Sequence, residues 1–482
     1  MDRLRRTLRR SPSYEPLSNG NQEEGGSGAT QQVEHNAFSW LDYSIFFLLG
    51  IAMLWAWYVR TKPYTFTSLQ SFRNMFLAAG PYFQSRFQSS PWITTHFQSA
   101  ELSISTIANL GSMLVLTKLQ ANASYPRRII ASLLINLVAF TLLAISTRVH
   151  TSAEAYFGFL MLMVFAASLA TGLCQNGVFA YVAGFGREEY TQGIMTGQAV
   201  AGVLPPIVQV ASVLSIPPQK AGEKAATPEE SWKSAFAYFL TATGISAITL
   251  AAFFYLLARH RHSPQSSRPR SKTASATDSL SPSPEDSPPT DLPTNSPEER
   301  TSVPLLTLLS KLRYLAAAVF LTFAITMVFP VFTQETLSVH APSTSPPPPR
   351  ILQPSAFIPL AFLLWNIGDL IGRLLTALPA LRLTSRPRLL FALSVGRVVW
   401  IPLYFLCNIR GRGAVVPSDA FYLVVVQLLF GIGNGYLGST CMMGAAEWVE
   451  PREREAAGGF MGLCLVSGLT VGSLLSFLVA GT

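Results

Sequence analysis

Asp369 and Arg373 stand four residues apart in LLWNIGDLIGRLL, residues 363–375, a run that is otherwise almost wholly apolar. Four residues make about one helical turn, so a carboxylate at i and a guanidinium at i+4 share a face and can hydrogen-bond. A charge at the centre of a bilayer costs roughly 2.5 to 3.5 kcal/mol on insertion scales. Pairing lowers that cost without removing it, and an apolar pair would serve packing as well or better. Two readings follow. The pair orders a helical bundle, or it belongs to a polar strip along a water-filled cavity. In the second case the carboxylate accepts from hydroxyls and the guanidinium donates to ring or hydroxyl oxygens. Asn366, three residues before Asp369, adds a carboxamide to the same face.

Other polar groups interrupt apolar runs elsewhere. In GLCQNGVFAYVAGFG, Gln175 and Asn176 are adjacent. A carboxamide offers both a donor and an acceptor, which suits the edge of a nucleobase as well as a neighbouring carbonyl. One of the two is expected to face the cavity and the other to be structural. In YTQGIMTGQAVAGVLPPIVQVASVL, Gly193, Gly197, Ala201 and Gly202 give a smooth surface for close helix packing, with Gln198 and Gln209 beside them. Pro205 and Pro206 should kink that helix. Gly458 and Gly462, then Gly468 and Gly472, repeat the GxxxG spacing of close-packing seams, and Asn434 is the polar candidate for the cavity in this region.

These residues need spanning elements to hold them. The chain of 482 residues is 49% hydrophobic and 13% charged, far from the roughly 25% charged residues of a soluble domain. About 20 apolar residues cross the hydrocarbon core as a helix. Eleven runs qualify or nearly do: 38–57 continuing at 74–83, then 100–119, 129–148, 154–176, 190–215 and 234–257. After a polar gap come 311–332, 355–378, 388–408, 419–443 and 457–480. The expected fold is therefore an all-α polytopic membrane protein of eleven helices. The first run follows a long polar stretch without a small-residue cleavage site and reads as a retained span, not a signal peptide.

Residues 1–37 are polar and cannot bury enough apolar surface to fold alone. Residues 258–310 form a Ser/Pro-rich linker that divides the chain into a six-helix bundle, 38–257, and a five-helix bundle, 311–482. Two bundles joined by a long loop suit a transporter whose halves rock about a central site. The net charge of +9 lies between the spans, at Arg127, Arg128, Arg259, Arg261, Arg382, Arg386, Arg388, Arg452 and Arg454 among others, and not in a nucleic-acid patch. With eleven crossings these segments share one side, which places the N-terminus in the cytosol and the C-terminus across the membrane. Tyr14 to Leu17, YEPL, has the form of a sorting signal and leans toward the vacuole, with the plasma membrane as the other choice. No Cys/His cluster, nucleophile–base pair, Walker lysine or Rossmann context is present, so metal, cofactor and enzyme chemistry are not expected.

Together these stretches resemble the equilibrative nucleoside transporter family, specifically its fungal members. WNIGDLIGRLLTA resembles the eighth-helix signature, RVVWIPLYFLCNI the ninth, and FGIGNGYLGSTCMMGAAEWVEPREREAAGGFMGLCLVSGLTVGSLLSF the tenth and eleventh. QNGVFAYVAGF, YTQGIMTGQAVAG and AFAYFLTA resemble the fourth to sixth, and MVFPVFTQET the seventh. The resemblance implies a fold similar to the major facilitator transporters, lacking a twelfth helix, with a nucleoside site between the halves. It assigns sugar contacts to Asp369 and Arg373, a base contact to Gln175 and helix-five glycines to Gly197 and Gly202.

Helix one departs from the pattern. MLWAW ends at Trp57 and NMFLAAGPYF resumes at Asn74, with Arg60, Lys62, Pro63 and Arg73 between them. Removing residues 58–73 would restore a continuous helix, so this segment is expected to be a translated intron or an error of gene structure, which sequencing the transcript tests. On that basis Leu54, Trp57 and Asn74 carry the helix-one cavity positions. The function expected is facilitative nucleoside transport by alternating access, with nucleobases as a further substrate class. A proton-coupled symporter and a non-transporting receptor are the alternatives. The expected partners are the small-molecule nucleoside and the lipid bilayer.

Overall fold

The computed structural model describes residues 38–55, 80–120, 123–149, 151–215, 228–262, 303–340 and 348–480. The YEPL motif, Trp57, Asn74, the 58–73 segment and most of the linker lie outside these residues, as does the side chain of Leu54. The first half comprises α1 (Trp40–Trp55), the short α2 (Gly80–Arg86), α3 (Pro91–Lys118), α4 (Tyr125–Ser146), α5 (Ala153–Gly184), α6 (Glu188–Ser215) and α7 (Pro228–His262). The second comprises α8 (Leu305–Thr326), α9 (Val328–Glu335), α10 (Pro354–Leu375), α11 (Pro387–Gly396), α12 (Trp400–Tyr404), α13 (Leu429–Gly444) and α14 (Arg454–Ala480). α7 and α8 reach into both ends of the stretch read as linker. Among the described residues the only β pairing is an isolated bridge, Thr336–Ile409.

Nine helices among the described residues are long and apolar enough to cross a membrane. Of the first run, the described residues form the 16-residue α1, short of the hydrocarbon thickness, and the start of α2 at Gly80. The run 388–408 is broken into α11, a 3-10 turn over Arg397–Val399 and α12. Pro402 explains the break, because it has no N–H to donate to the carbonyl of Val398. Pro330 likewise withholds a donor from Thr326, where α8 gives way to α9. By contrast α6 continues through Pro205 and Pro206. A π-helical stretch, Phe421–Leu428, leads directly into α13.

Within each half, glycines let helices touch backbone to backbone. A Cβ on Gly197 would sit 2.0 Å from the Phe47 carbonyl oxygen, and one on Gly50 2.1 Å from that of Ile194, so α1 and α6 interlock reciprocally. The α10–α13 seam does the same with four glycines. Gly368 and Gly372 face the Leu428 and Ile432 carbonyls, while Gly431 and Gly435 face those of Trp365 and Asp369, all at 1.9–2.2 Å. Real Cβ atoms do not approach oxygen so closely, so each position excludes any side chain. This seam fixes the Asp369 backbone against α13.

The halves meet where α6 packs on α10 and α13, and where α14 packs on α5 and α3. At one end of the molecule the arginine-bearing segments gather. Arg259 pairs with Asp42 (3.2 Å), tying the start of α1 to the end of α7. Across the halves, Arg382 lies 3.7 Å from Glu188, and Arg454 and Glu455 pack against Gly186 and Gly184.

Candidate functional site

α10 carries Asp369 and Arg373, and Arg373 reaches toward the other half. Both are buried, at 4% and 5% exposure, so neither faces lipid. Arg373 Nε donates to Asp369 Oδ2 at 2.8 Å, the i to i+4 bond expected from their spacing. The guanidinium then reaches across the boundary. Its Nη1 donates to the Met195 carbonyl oxygen (2.6 Å) and to Gln198 Oε1 (3.2 Å), both on α6. Gln198 Nε2 in turn lies 3.0 Å from Met53 Sδ on α1. A buried guanidinium with its Nε and Nη1 engaged by carboxylate, carbonyl and carboxamide costs less than a bare one.

The second oxygen of Asp369 is taken from inside the C-terminal half. Asn434 Nδ2, on α13, donates to Asp369 Oδ1 at 2.7 Å. Asn434 Oδ1 accepts from the Thr326 hydroxyl (2.6 Å) and from Arg397 Nη1 (3.1 Å). Arg397 is 3% exposed, and its Nη2 donates to Thr326 Oγ1 (3.1 Å) while its guanidinium lies 4.8 Å over the Phe430 ring. One polar network thus runs from Thr326 and Arg397 through Asn434, Asp369 and Arg373 to Gln198, spanning five helical segments and both halves.

The remaining sequence candidates fall around it unevenly. Asn366 is buried, and its Nδ2 donates back to the Phe362 carbonyl (2.8 Å). A Cβ on Gly202 would lie 2.6 Å from Asn366 Oδ1, so that glycine makes room for a polar side chain of the opposite half. Gly197, by contrast, serves the α1 seam. Gln175 on α5 is 8% exposed and its Oε1 has no hydrogen-bond partner among the described residues. The neighbouring Asn176 accepts from Arg128 Nη1 (2.5 Å) and donates to Thr117 (3.4 Å), which engages its amide at both ends. An unpartnered buried carbonyl oxygen is the kind of group a ligand satisfies.

Three participants are not among the sequence candidates. Gln198 is read from sequence as part of a packing surface, although a carboxamide in an apolar helix carries the same signal as Gln175. Arg397 stands in the middle of the apolar run 388–408, where a charge at membrane depth is as costly as Asp369. Thr326 gives no signal, because a hydroxyl in a helix bonds its own backbone as readily. Trp365, one turn before Asp369, adds a buried indole Nε1 without a hydrogen-bond partner among the described residues and stacks on Phe329 at 4.2 Å.

Chemically, the network holds a carboxylate and a guanidinium oriented in the interior of the bundle, with part of the guanidinium's bonding crossing between halves. Hydroxyls and polar ring edges of a small solute complement such groups, and no nucleophile–base arrangement is part of the network.

Comparison with known proteins identifies the family. The family model described as nucleoside transporter matches residues 160–480. The nucleoside transporter FUN26 of Saccharomyces cerevisiae is 30% identical over 462 residues, covering 91% of this chain and 83% of that protein. Equilibrative nucleoside transporter 1 of Homo sapiens is 28% identical over 460 residues, covering 90% and 95%. Among solved structures, a major facilitator proton:xylose symporter aligns with a TM-score of 0.54 at 8% identity, over 92% of this chain and 89% of its own. The human organic anion transporter MFSD10 aligns at 0.51 and 13% identity, over 90% and 91%. The fold is therefore that of the major facilitator transporters, as the sequence resemblance implied.

Proposed function

Because this chain belongs to the nucleoside transporter family, we propose that it carries nucleosides across a membrane, down their gradient, by alternating access of a site between its two halves. The observation that carries this reading is the Asp369–Arg373 pair, held at the boundary and bonded across it to Met195 and Gln198. Sugar hydroxyls compete for the same carboxylate oxygens and guanidinium hydrogens. Binding then replaces bonds between the halves with bonds to substrate, and ligand occupancy is coupled to their separation. Gln175 offers its unpartnered carbonyl to an amino group of the base, and Asn366 its amide beside the sugar. Asn434 acts from behind Asp369. Leu54, Trp57 and Asn74 complete the site from helix one.

The domain division is part of this reading: bundles at 38–257 and 311–482, joined by the 258–310 linker and preceded by the polar 1–37 segment, which lies outside the described residues. The gathering of Arg259, Arg382 and Arg454 segments at one end supports a cytosolic N-terminus under the positive-inside rule. YEPL favours the vacuolar membrane over the plasma membrane. The function is carriage without chemical conversion of the substrate, and facilitation is favoured over proton symport because Asp369 is committed to Arg373 and Asn434.

Uptake of radiolabelled adenosine into vesicles, competed with uridine, adenine and a free sugar, tests the assignment. Saturable uptake blocked by uridine and indifferent to the free sugar is expected. Uptake that vanishes when the pH gradient is collapsed would replace facilitation by symport, and no uptake at all would remove the carrier reading.

A further inference from the structure

Arg397 lies in the 3-10 turn that breaks the ninth apolar run, and its buried guanidinium makes no contact with the other half in the network described above. Its two Nη groups hold Asn434 Oδ1 and Thr326 Oγ1, both at 3.1 Å, with the Phe430 ring beneath. Thr326 also holds Asn434 Oδ1, at 2.6 Å. With its carbonyl oxygen fixed from two sides, the Asn434 carboxamide has a single productive orientation, in which Nδ2 meets Asp369 Oδ1 at 2.7 Å. A neutral donor could hold one acceptor. The planar guanidinium fork holds two acceptors on different helices, α8 and α13, at a fixed angle. A charge at this depth is expensive for packing alone, since apolar side chains of similar volume would do as well.

Resting on the carrier reading above, we propose that Arg397 is a positioning residue for Asp369. Acting through Asn434, it sets the direction in which the carboxylate presents its oxygens, and hence how sharply the carrier distinguishes a sugar bearing its hydroxyls from one that lacks a hydroxyl. Arg373 fixes one carboxylate oxygen from the same helix, and Arg397 fixes the other through an intermediary that touches neither charge's partner in α6.

The test is competition for labelled adenosine uptake in vesicles by unlabelled adenosine and 3′-deoxyadenosine. The wild-type carrier should favour adenosine. In Arg397→Met the inhibition constant for adenosine should rise about tenfold, the value of a weakened hydrogen bond to a charged group, while that for the deoxynucleoside changes little. Arg397→Lys keeps the charge without the fork and should recover part of the discrimination. In an Asn434→Ala background, adding Arg397→Met should change discrimination no further, because the two act in series. Equal losses for both competitors, additive effects of the two substitutions, or a wild-type carrier indifferent to the missing hydroxyl overturn the proposal. If the Met variant does not fold, the Lys variant is judged by the same criteria. A wild-type protein that takes up no adenosine overturns the carrier reading itself, independently of any variant.

Discussion

The two halves meet along two boundaries of different chemistry. On the α5–α14 side the contact is small residues against backbone. A Cβ on Gly458 would lie 2.2 Å from the Phe179 carbonyl oxygen, Gly459 faces the Asn176 amide, and Gly462 lies against Phe179 and Met113. On the α6–α10 side the contact is polar. Arg373 reaches Met195 and Gln198, and Asn366 occupies the space Gly202 leaves. Close-packed surfaces lose their dispersion contacts together when they part, and no solute can take the place of a backbone in van der Waals contact. Hydrogen bonds can be exchanged one for one with a ligand's. Exchange with a polar solute is therefore open to the α6–α10 boundary and closed to the α5–α14 boundary.

Substitutions that attack each boundary separately break or sharpen this contrast. The largest effect is expected from Arg373→Ala, which strands Asp369 in the interior. Removing one partner of a buried pair costs roughly 3 to 5 kcal/mol, so adenosine uptake should fall below about a hundredth of wild type and thermal unfolding of the purified protein should move down sharply. Retained uptake would mean the polar boundary is mere packing. Gly458→Val comes next. Overpacking of this kind costs about 1 to 3 kcal/mol, which here should be relieved by separation of α5 from α14. A cysteine placed at Arg454 should then label faster, with uptake reduced; unchanged labelling would show that the boundary is not tight.

Gln198→Ala removes one of the cross-boundary acceptors of Arg373 and leaves the Met195 carbonyl. A rise of about fivefold in KM for adenosine is expected, below the full value of a charged hydrogen bond, with unfolding little changed. A loss equal to that of Arg373→Ala would place Gln198 at the centre of the site. The smallest effect belongs to Lys311→Met, which breaks the 2.7 Å pair with Glu453, partly exposed and contained within the C-terminal half. Such pairs contribute about 0 to 1 kcal/mol, so the melting temperature should shift by a few degrees at most and uptake should hold.

Much of the site is legible in the chain because burial of polar groups in a bilayer is costly enough to mark them. Asp369, Arg373 and Asn366 stand out on that ground, and the i to i+4 bond between the first two is a property of any helix they share. The same ground marks Arg397 and Gln198, yet one sits inside a run that reads as an ordinary span and the other inside a glycine-rich packing surface. Asn434 reads as a cavity residue, whereas its carboxamide is bonded at both ends, to Asp369 on one side and to Thr326 and Arg397 on the other. Its partners are 65, 108 and 37 residues away along the chain, and no local pattern encodes such pairings.

The features readable along the chain are set by solvent and local geometry. Hydrocarbon demands helices, helices demand about 20 apolar residues, and glycines at four-residue spacing permit backbones to touch. Even the break in the ninth run is local, since Pro402 lacks a donor. Tertiary structure alone decided which glycines meet which carbonyls, that Gly197 packs within a half while Gly202 admits Asn366 from across the boundary, and that two arginines converge on one carboxylate by different routes. Those choices depend on distances between helices far apart in sequence, where the energies of many alternative pairings differ little until the whole bundle has assembled.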